Sequence, residues 1–345
     1  MVSRKKPKSF TIVIIIIIFF LIILGVFIWG FLTDWGENYE QPNKYLWSKA
    51  FNKINNYNMK ETEHISDKKK ILDQINKCDN YIWIRNTSKN SDIKTDLDYF
   101  GDLLEHLKHP VILITSDGDR DVPSSYNTKL VNKILSSEKI IKWYTQNYDK
   151  SLIHPKLKFY PIGLDMHSRK WLNVNFFDMF RSTRILRDNK FNNYLKTRSI
   201  SNKKNRIFCD SHLSVSHPRR KEMYQILKHN PMIDFLNDRT DQLGIMKKYS
   251  DYRFVLSPRG NGLDCHRTWE IFLLGSIVIT EKSPLDKMYI KNNLPVVILN
   301  DFSDLNKMTY SDLETLWNKH KHKCSDHNII EKFYPKYWIK KKIKK

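Results

Sequence analysis

Short apolar runs bounded by turn residues alternate along this chain with stretches of helical period. Tyr81–Arg85, Val111–Thr115, Ile140–Tyr144 and a run ending at Tyr160 each read as a strand covered on both faces. Helices are expected between them, near Leu97–Leu107 and Tyr126–Leu135. The pattern restarts with strand Ile207–Cys209, a helix from Pro218, strand Met232–Phe235 and a helix around Gln242–Tyr249. Strand Pro295–Leu299 and a helix near Ser311–His320 close it. Such alternation builds parallel sheets with crossover helices. The predicted fold class is α/β, with two Rossmann-like halves at residues 71–190 and 191–325. Residues 186–206, rich in Arg, Lys and Asn, are the expected linker. Residues 33–70 read as a stem with a first helix, and 326–345 as a solvated basic tail.

The densest signal is Asp251–Thr280, DYRFVLSPRGNGLDCHRTWEIFLLGSIVIT. It predicts strand Tyr252–Leu256, a turn, a helix starting near Cys265 and strand Ser276–Thr280. Pro258, Gly260, Asn261 and Gly262 punctuate the turn, and the glycines allow backbone to approach a ligand closely. Asp264 is the expected N-cap, leaving the positive helix end aimed at the turn, an arrangement suited to phosphate. Cys265, Trp269, Phe272 and Leu273 share the packed face. His266, Arg267 and Glu270 share another, an arc of roughly 100°. The pattern points to Arg259, His266 and Arg267 on a diphosphate and Glu270 on a ribose hydroxyl, with the nucleotide along Ser257–Glu270. A solvated polar face with an Arg267–Glu270 pair is the competing reading. Ser216-His217-Pro218-Arg219-Arg220-Lys221-Glu222 is a second anion candidate, with Pro218 in the first helical turn and Arg219 near the positive end.

The run Phe254-Val-Leu-Ser-Pro-Arg-Gly-Asn-Gly-Leu-Asp-Cys-His-Arg-Thr-Trp-Glu270 resembles the exostosin-type glycosyltransferases. It most resembles a branch whose signature runs FVLSPxGNGLDCHRTWEAL-LGxIPIV. Similarity continues at Trp143-Tyr-Thr-Gln-Asn147, Pro161-Ile-Gly-Leu-Asp-Met-His167 and Leu294-Pro-Val-Val-Ile298, so the resemblance spans about residues 80–320. Ile271-Phe272 and Val278 depart from it. The resemblance implies a GT-B arrangement of two facing domains, the nucleotide on the second and the acceptor on the first. It also implies a nucleotide-diphosphate sugar, mostly UDP-linked, as donor, and a glycan or glycoprotein hydroxyl as acceptor. Basic residues at the place of Arg219 reach the diphosphate in related enzymes.

Phe10–Leu32 is an uncharged stretch of about 23 residues, roughly 34 Å as a helix. It exceeds a signal-peptide core, and no small-residue cleavage site follows. Arg4, Lys5, Lys6 and Lys8 precede it while Asp34, Glu37 and Glu40 follow. The positive-inside rule then leaves residues 1–9 in the cytosol, giving a type II signal anchor at 10–32 and a lumenal Golgi or ER enzyme. The net charge of +22 would otherwise suggest nucleic acid. A domain across the membrane excludes that partner, and the excess reflects a broad Lys/Asn bias with basic ends. Aromatic content of 13% excludes a disordered chain.

An inverting transfer needs a base for the acceptor hydroxyl and positive groups for the leaving diphosphate. Asp117 and Asp165, each following a first-half strand, are the two base candidates. Ser116-Asp117-Gly118-Asp119 also matches the metal-holding D-x-D of GT-A enzymes. The arginine-bearing second half favours a metal-free reaction. A fucosyltransferase-like enzyme and an inactive membrane-anchored lectin or scaffold compete with this assignment. Cys78, Cys209, Cys265 and Cys324 show no zinc spacing, and a lumenal setting would allow one or two disulfides. Asn86-Thr87-Ser88 is the glycosylation candidate. The sugar, the acceptor and the oligomeric state are not legible.

Overall fold

The computed structural model describes residues 8–35, 44–51, 68–87, 94–166 and 183–339. The chain divides into two compact units, Met1–Asn38 with Ser168–Asn192, and Tyr39–His167 with Asn193–Lys345. The first unit holds α1 (Lys8–Trp35), a helix of 28 residues, about 42 Å long at 1.5 Å per residue. Its side chains are described for residues 11–26, and nearly all are exposed, including Phe19 and Phe20. Among the described residues no helix is long and apolar enough to cross a membrane. A membrane role for α1 therefore rests on its sequence.

The second unit carries two parallel sheets. In the first, β1 (Tyr81–Arg85), β2 (Val111–Ser116), β3 (Ile140–Thr145) and β4 (Leu157–Phe159) lie side by side in chain order. Ile82 pairs with Leu113, Leu113 with Trp143, and Trp143 with Leu157. β2 is buried along its whole length, as a continuous apolar strand under helices requires. The covering helices are α2 (Lys68–Lys77), α3 (Asp96–Leu103) and α4 (Thr128–Ser136). Thr95 and Asp98 form a capping box on α3, and Asn127 caps α4.

Two expectations for this half change. The stem assignment fails for residues 44–51, where Tyr45, Leu46, Trp47, Ala50 and Phe51 are buried. Phe51 meets Tyr160 edge-on at 5.8 Å, and Ser116 Oγ donates to the Ser48 carbonyl. The expected linker at 186–206 is instead the body of α5 (Thr183–Thr197) and the start of the next strand. Tyr194 supplies the apolar anchor that its basic neighbours conceal.

The second sheet runs β6 (Ile233–Phe235), β5 (Lys204–Cys209), β7 (Tyr252–Leu256), β8 (Ile277–Glu281), β9 (Val296–Leu299). Its helices are α6 (Pro218–Leu227), α7 (Gln242–Asp251), α8 (His266–Leu273), α9 (Asp286–Lys291) and α10 (Tyr310–His320). Ile207, Met223, Phe254, Ile277, Phe302 and Trp317 belong to one buried cluster. The strand order reverses at β5. Right-handed crossovers then put α6 on one face and α7 and α8 on the other. The loops after β5 and β7 diverge at this switch point, where such sheets bind ligands.

The expected tail also changes. Residues 326–339 fold into short helical turns, with Phe333, Trp338 and Ile339 buried and Lys332 2% exposed. Trp338 lies edge-on to Trp269 at 5.5 Å and to Phe159 at 6.1 Å, so this segment packs on both halves. Leu46 donates its amide to the Phe333 carbonyl at 2.7 Å. Phe333, Tyr334, Tyr337 and Trp338 outweigh the lysines among them; residues 340–345 lie outside the described residues.

Candidate functional site

The loop after β7 is built by short polar contacts. Ser257 extends the ladder through its amide to Ile279 at 2.9 Å, and its hydroxyl meets Thr268 at 2.8 Å. This ties the strand end to the first turn of α8. Gly260 donates its amide to Cys265 Sγ at 3.0 Å. A Cβ at Gly260 would stand 3.1 Å from the Arg220 guanidinium and 3.2 Å from that sulfur. Arg220 itself is buried and donates to the Arg259 carbonyl at 3.1 Å. Asn261 is exposed at the tip.

Asp264 is not the N-cap. Cys265 holds that position without a side-chain cap bond, leaving first-turn amides of α8 pointed at the loop. Asp264 turns inward and is 3% exposed. Its carboxylate accepts from Ile162 N at 2.8 Å, Trp269 Nε1 at 2.9 Å and Cys265 N at 3.1 Å. Burial pushes its pKa up to about 7 against those three hydrogen bonds. Asp264 therefore joins the two halves.

Two cavities flank α8 at the carboxyl edge of the sheet. One, of about 360 Å³, is lined by His217, Arg219, Ser257, Arg259, Thr268 and Lys282 among others. The N-termini of α6 and α8 both reach it, through His217–Arg219 and through Cys265 and Thr268. His217 caps α6, its Nδ1 accepting from Arg219 N at 3.1 Å. The Arg219 guanidinium is held by Glu281, Asp301 and Glu222, and these contacts drive its pKa upward. Its charge is largely answered inside the protein, whereas Arg259 meets only Asp121 at 3.8 Å among carboxylates of the described residues. The second cavity, of about 300 Å³, is lined by Asp210, Ser214, Arg239, Thr240 and Arg267, with Leu213, Leu236 and Ile245 as apolar wall. Arg267 grips Asp210 through Nε and Nη2, both at 3.1 Å, and Tyr249 donates its hydroxyl to the same carboxylate.

The expected ligand face of α8 is thus divided. Arg267 lines the second cavity, while Ser257, Arg259 and Arg219 share the first. His266 Nδ1 lies 2.8 Å from the Gly163 carbonyl of the first half. Glu270, 7% exposed, accepts from Tyr194 OH at 2.7 Å and Gln242 Nε2 at 3.3 Å. Gly262 packs on Asn147: an added Cβ would lie 2.7 Å from its carboxamide.

In the first half, Asp117 follows β2 in a left-handed conformation, φ 65°. Its carboxylate meets Ser48 Oγ at 3.3 Å and Lys49 Nζ at 3.5 Å. Gly118 admits no side chain, since a Cβ there would fall 0.9 Å from the Asn86 carbonyl oxygen. Asp165 is half-buried and faces Tyr194, whose hydroxyl is raised well above its ordinary range by burial, by Glu270 and by Asp165. His167 lies outside the described residues. Asn86 is fully buried, its amide donating to Arg120 O and its oxygen accepting from Tyr126, so the folded chain presents no exposed amide for a glycan there. Ser88 of that sequon lies outside the described residues.

The four cysteines are free thiols, so the disulfides a lumenal setting would allow are not formed. Burial pushes Cys78 and Cys209 up to about 11 and Cys324 to about 12. Among the described residues no group of three or more His, Cys, Asp or Glu side chains is placed to hold a metal ion. Tyr249, Tyr194 and Gln242 carry no local signal that marks them as site residues. Asp210 was findable because it follows β5 at the edge where sites form, and Asn147 because it ends the Trp143–Asn147 stretch.

No family model and no curated protein matches the chain. Among solved structures, a similar chain is the crystal structure of an alpha,alpha-trehalose-phosphate synthase (UDP-forming) from Burkholderia vietnamiensis. It is 10% identical, with 74% of this chain and 70% of that chain covered, at a TM-score of 0.39. A likeness at that level assigns no residue role. What fold and site define is an α/β protein of two parallel sheets with a cleft lined by Arg219, Arg259 and Lys282 at the switch point of the second.

Proposed function

We propose that this chain is a GT-B-type, exostosin-like glycosyltransferase that moves a sugar from a nucleotide diphosphate, UDP by preference, to a hydroxyl of a glycan or glycoprotein. The supporting observation is the convergence of two helix N-termini with Arg259 and Lys282 on one cleft. Oriented amides and cations stabilise the charge that develops on a departing diphosphate. The apolar wall of Leu213, Leu236 and Ile245 suits a nucleoside base, with Arg267, Ser214 and Thr240 at its polar edge. The acceptor oxygen attacks the anomeric carbon as the bond to the diphosphate oxygen breaks. Its proton passes to a first-half carboxylate. Asp117 and Asp165 are the two candidates for that role, each following a strand of the first sheet. The Lys49 ammonium 3.5 Å from the Asp117 carboxylate, together with the cations lining the cleft, favours a metal-free reaction. In this reading Glu270, oriented by Tyr194 and Gln242 through Oε1, accepts from a ribose hydroxyl.

The proposal includes a type II anchor through Phe10–Leu32, with the enzyme in the Golgi or ER lumen, on the strength of the apolar run and its basic leading flank. Protease protection of the full chain in sealed microsomes tests that placement; digestion of the sheets from outside would reverse it. The activity is tested by giving the full chain, in detergent, a panel of UDP- and GDP-sugars with mixed acceptors. Nucleotide diphosphate release that survives chelator is expected. No donor binding at millimolar concentration would point to a lectin or scaffold, and preference for GDP-fucose to a fucosyltransferase. Loss in chelator restored by manganese would point to a metal-dependent enzyme.

A further inference from the structure

Asn147 stands in the turn directly after β3 in a left-handed conformation, φ 54°, and is fully buried. Its carboxamide is used at both ends. Nδ2 donates to the Gly118 carbonyl at 3.0 Å, and Oδ1 accepts from Asp264 N at 2.9 Å. Gln146 holds the same turn from its neighbouring position, Nε2 donating to Gly118 O at 2.9 Å and Oε1 accepting from Asp117 N at 3.0 Å. The Asp117–Gly118 turn is therefore gripped at both ends, at the Asp117 amide and at the Gly118 carbonyl. Across the gap, Gly262 leaves just enough room for the Asn147 carboxamide, and Asp264 is fixed in turn by Ile162, Cys265 and Trp269. One buried side chain links the turn at the carboxyl end of β2 to the glycine loop after β7.

We infer that Asn147 is a positioning residue whose carboxamide registers the acceptor-side Asp117–Gly118 turn against the donor loop Gly260–Asp264. The inference rests on the glycosyltransferase reading for its kinetic consequence, and on the hydrogen bonds alone for its mechanical one. Removing the carboxamide leaves the Asp264 amide buried without its acceptor, and loosens both loops together. A small misplacement of reacting groups lowers turnover steeply while each half keeps its own ligand contacts.

Asn147→Gly is the variant of choice, because glycine keeps the positive φ without strain. In the full chain, amide exchange at residues 116–119 and 260–265 is expected to rise together, by about tenfold. Transfer kcat is expected to fall by about 10–100-fold with donor Kd unchanged within about threefold. Gly262→Ala, which pushes on the carboxamide from the other side, should likewise raise exchange at both loops together. Asn147→Asp should not rescue, since a carboxylate cannot donate to Gly118 O. Faster exchange at one loop alone, unchanged kcat, or rescue by Asn147→Asp would overturn the inference. Absence of donor binding in the unmodified chain would instead sink the glycosyltransferase reading, and the exchange rates would still decide whether Asn147 couples the two loops.

Discussion

Arg259 and Glu270 sit at opposite ends of one motif and call for opposite experiments. Arg259 is about one-third exposed and its ion pair with Asp121 is long, at 3.8 Å, so it contributes little to folding. Arg259→Ala should weaken donor binding by about tenfold, as expected for a lost charge-assisted contact, with melting temperature within about 2 °C. Titration calorimetry with the donor checks the first and scanning calorimetry the second; a large drop in melting temperature with normal affinity would make Arg259 structural. Glu270 is buried under Tyr194 and Gln242. Glu270→Ala strands both donors and should cost about 2–4 kcal/mol in denaturant unfolding. A cost below about 0.5 kcal/mol would show that those bonds contribute nothing net. The sequence marked both residues, yet it concealed their partners. Tyr194 lies 76 positions from Glu270, Asp210 lies 57 from Arg267, and Asn147 lies 117 from Asp264. Local periodicity sees the helix face and is blind to what folds onto it.

At the scale of elements, local signals carried further. β1 and β7 fall on the residues that the apolar runs marked, and α6 begins at Pro218. Elements without a local signature were missed: α9, the 3₁₀ turn Phe302–Lys307, and the folded segment beyond α10. The carboxyl end of α8 shows why a basic segment need not be a linker. Arg198 donates to the Phe272 and Leu273 carbonyls, and Lys203 to Leu274 O at 3.3 Å, Ser276 Oγ at 2.9 Å and Ser250 O. Both cations close carbonyls that the helix end leaves open. Burial drives the Lys203 pKa down to about 7. The unfolded chain, with an ordinary lysine near 10.4, then binds the proton more tightly across this window. Lys203 stability is present above about 10.4, declines as pH falls, and is lost below about 7. Urea unfolding of wild type and Lys203→Met from about pH 6.5 to 10 should show the difference shifting in favour of wild type as pH rises. A pH-independent difference would mean that Lys203 stays charged in the fold.

On the scale of the whole second unit, the two sheets share buried polar and aromatic contacts, and this was the least legible feature. Local pattern makes Asp264 a helix cap and Trp338 part of a solvated tail. Each instead touches both halves, because a carboxylate and an indole find their partners through chain packing that no short window contains. Asp264 allows that joint to be tested by pH. Its carboxyl is raised to about 7, burial outweighing the donors at Ile162, Trp269 and Cys265. With an unfolded value near 3.9, the folded state holds the proton more tightly between about pH 4 and pH 7. The stabilising contribution is complete below about 4 and lost as pH rises through about 7. Asp264→Asn cannot titrate, and its amide group must face one of the three donors. Chemical unfolding at about pH 5, 6, 7 and 8 should therefore show wild type losing ground to Asp264→Asn up to about pH 7 and holding steady above it. The opposite slope would show that the three hydrogen bonds overcome burial and that Asp264 is ionised throughout. Because the same carboxyl bonds Ile162 on one side and Trp269 on the other, fluorescence and far-ultraviolet dichroism should report one coincident transition in wild type. Two separated transitions would mean that the sheets unfold independently and that the joint is not a stabilising element of the fold.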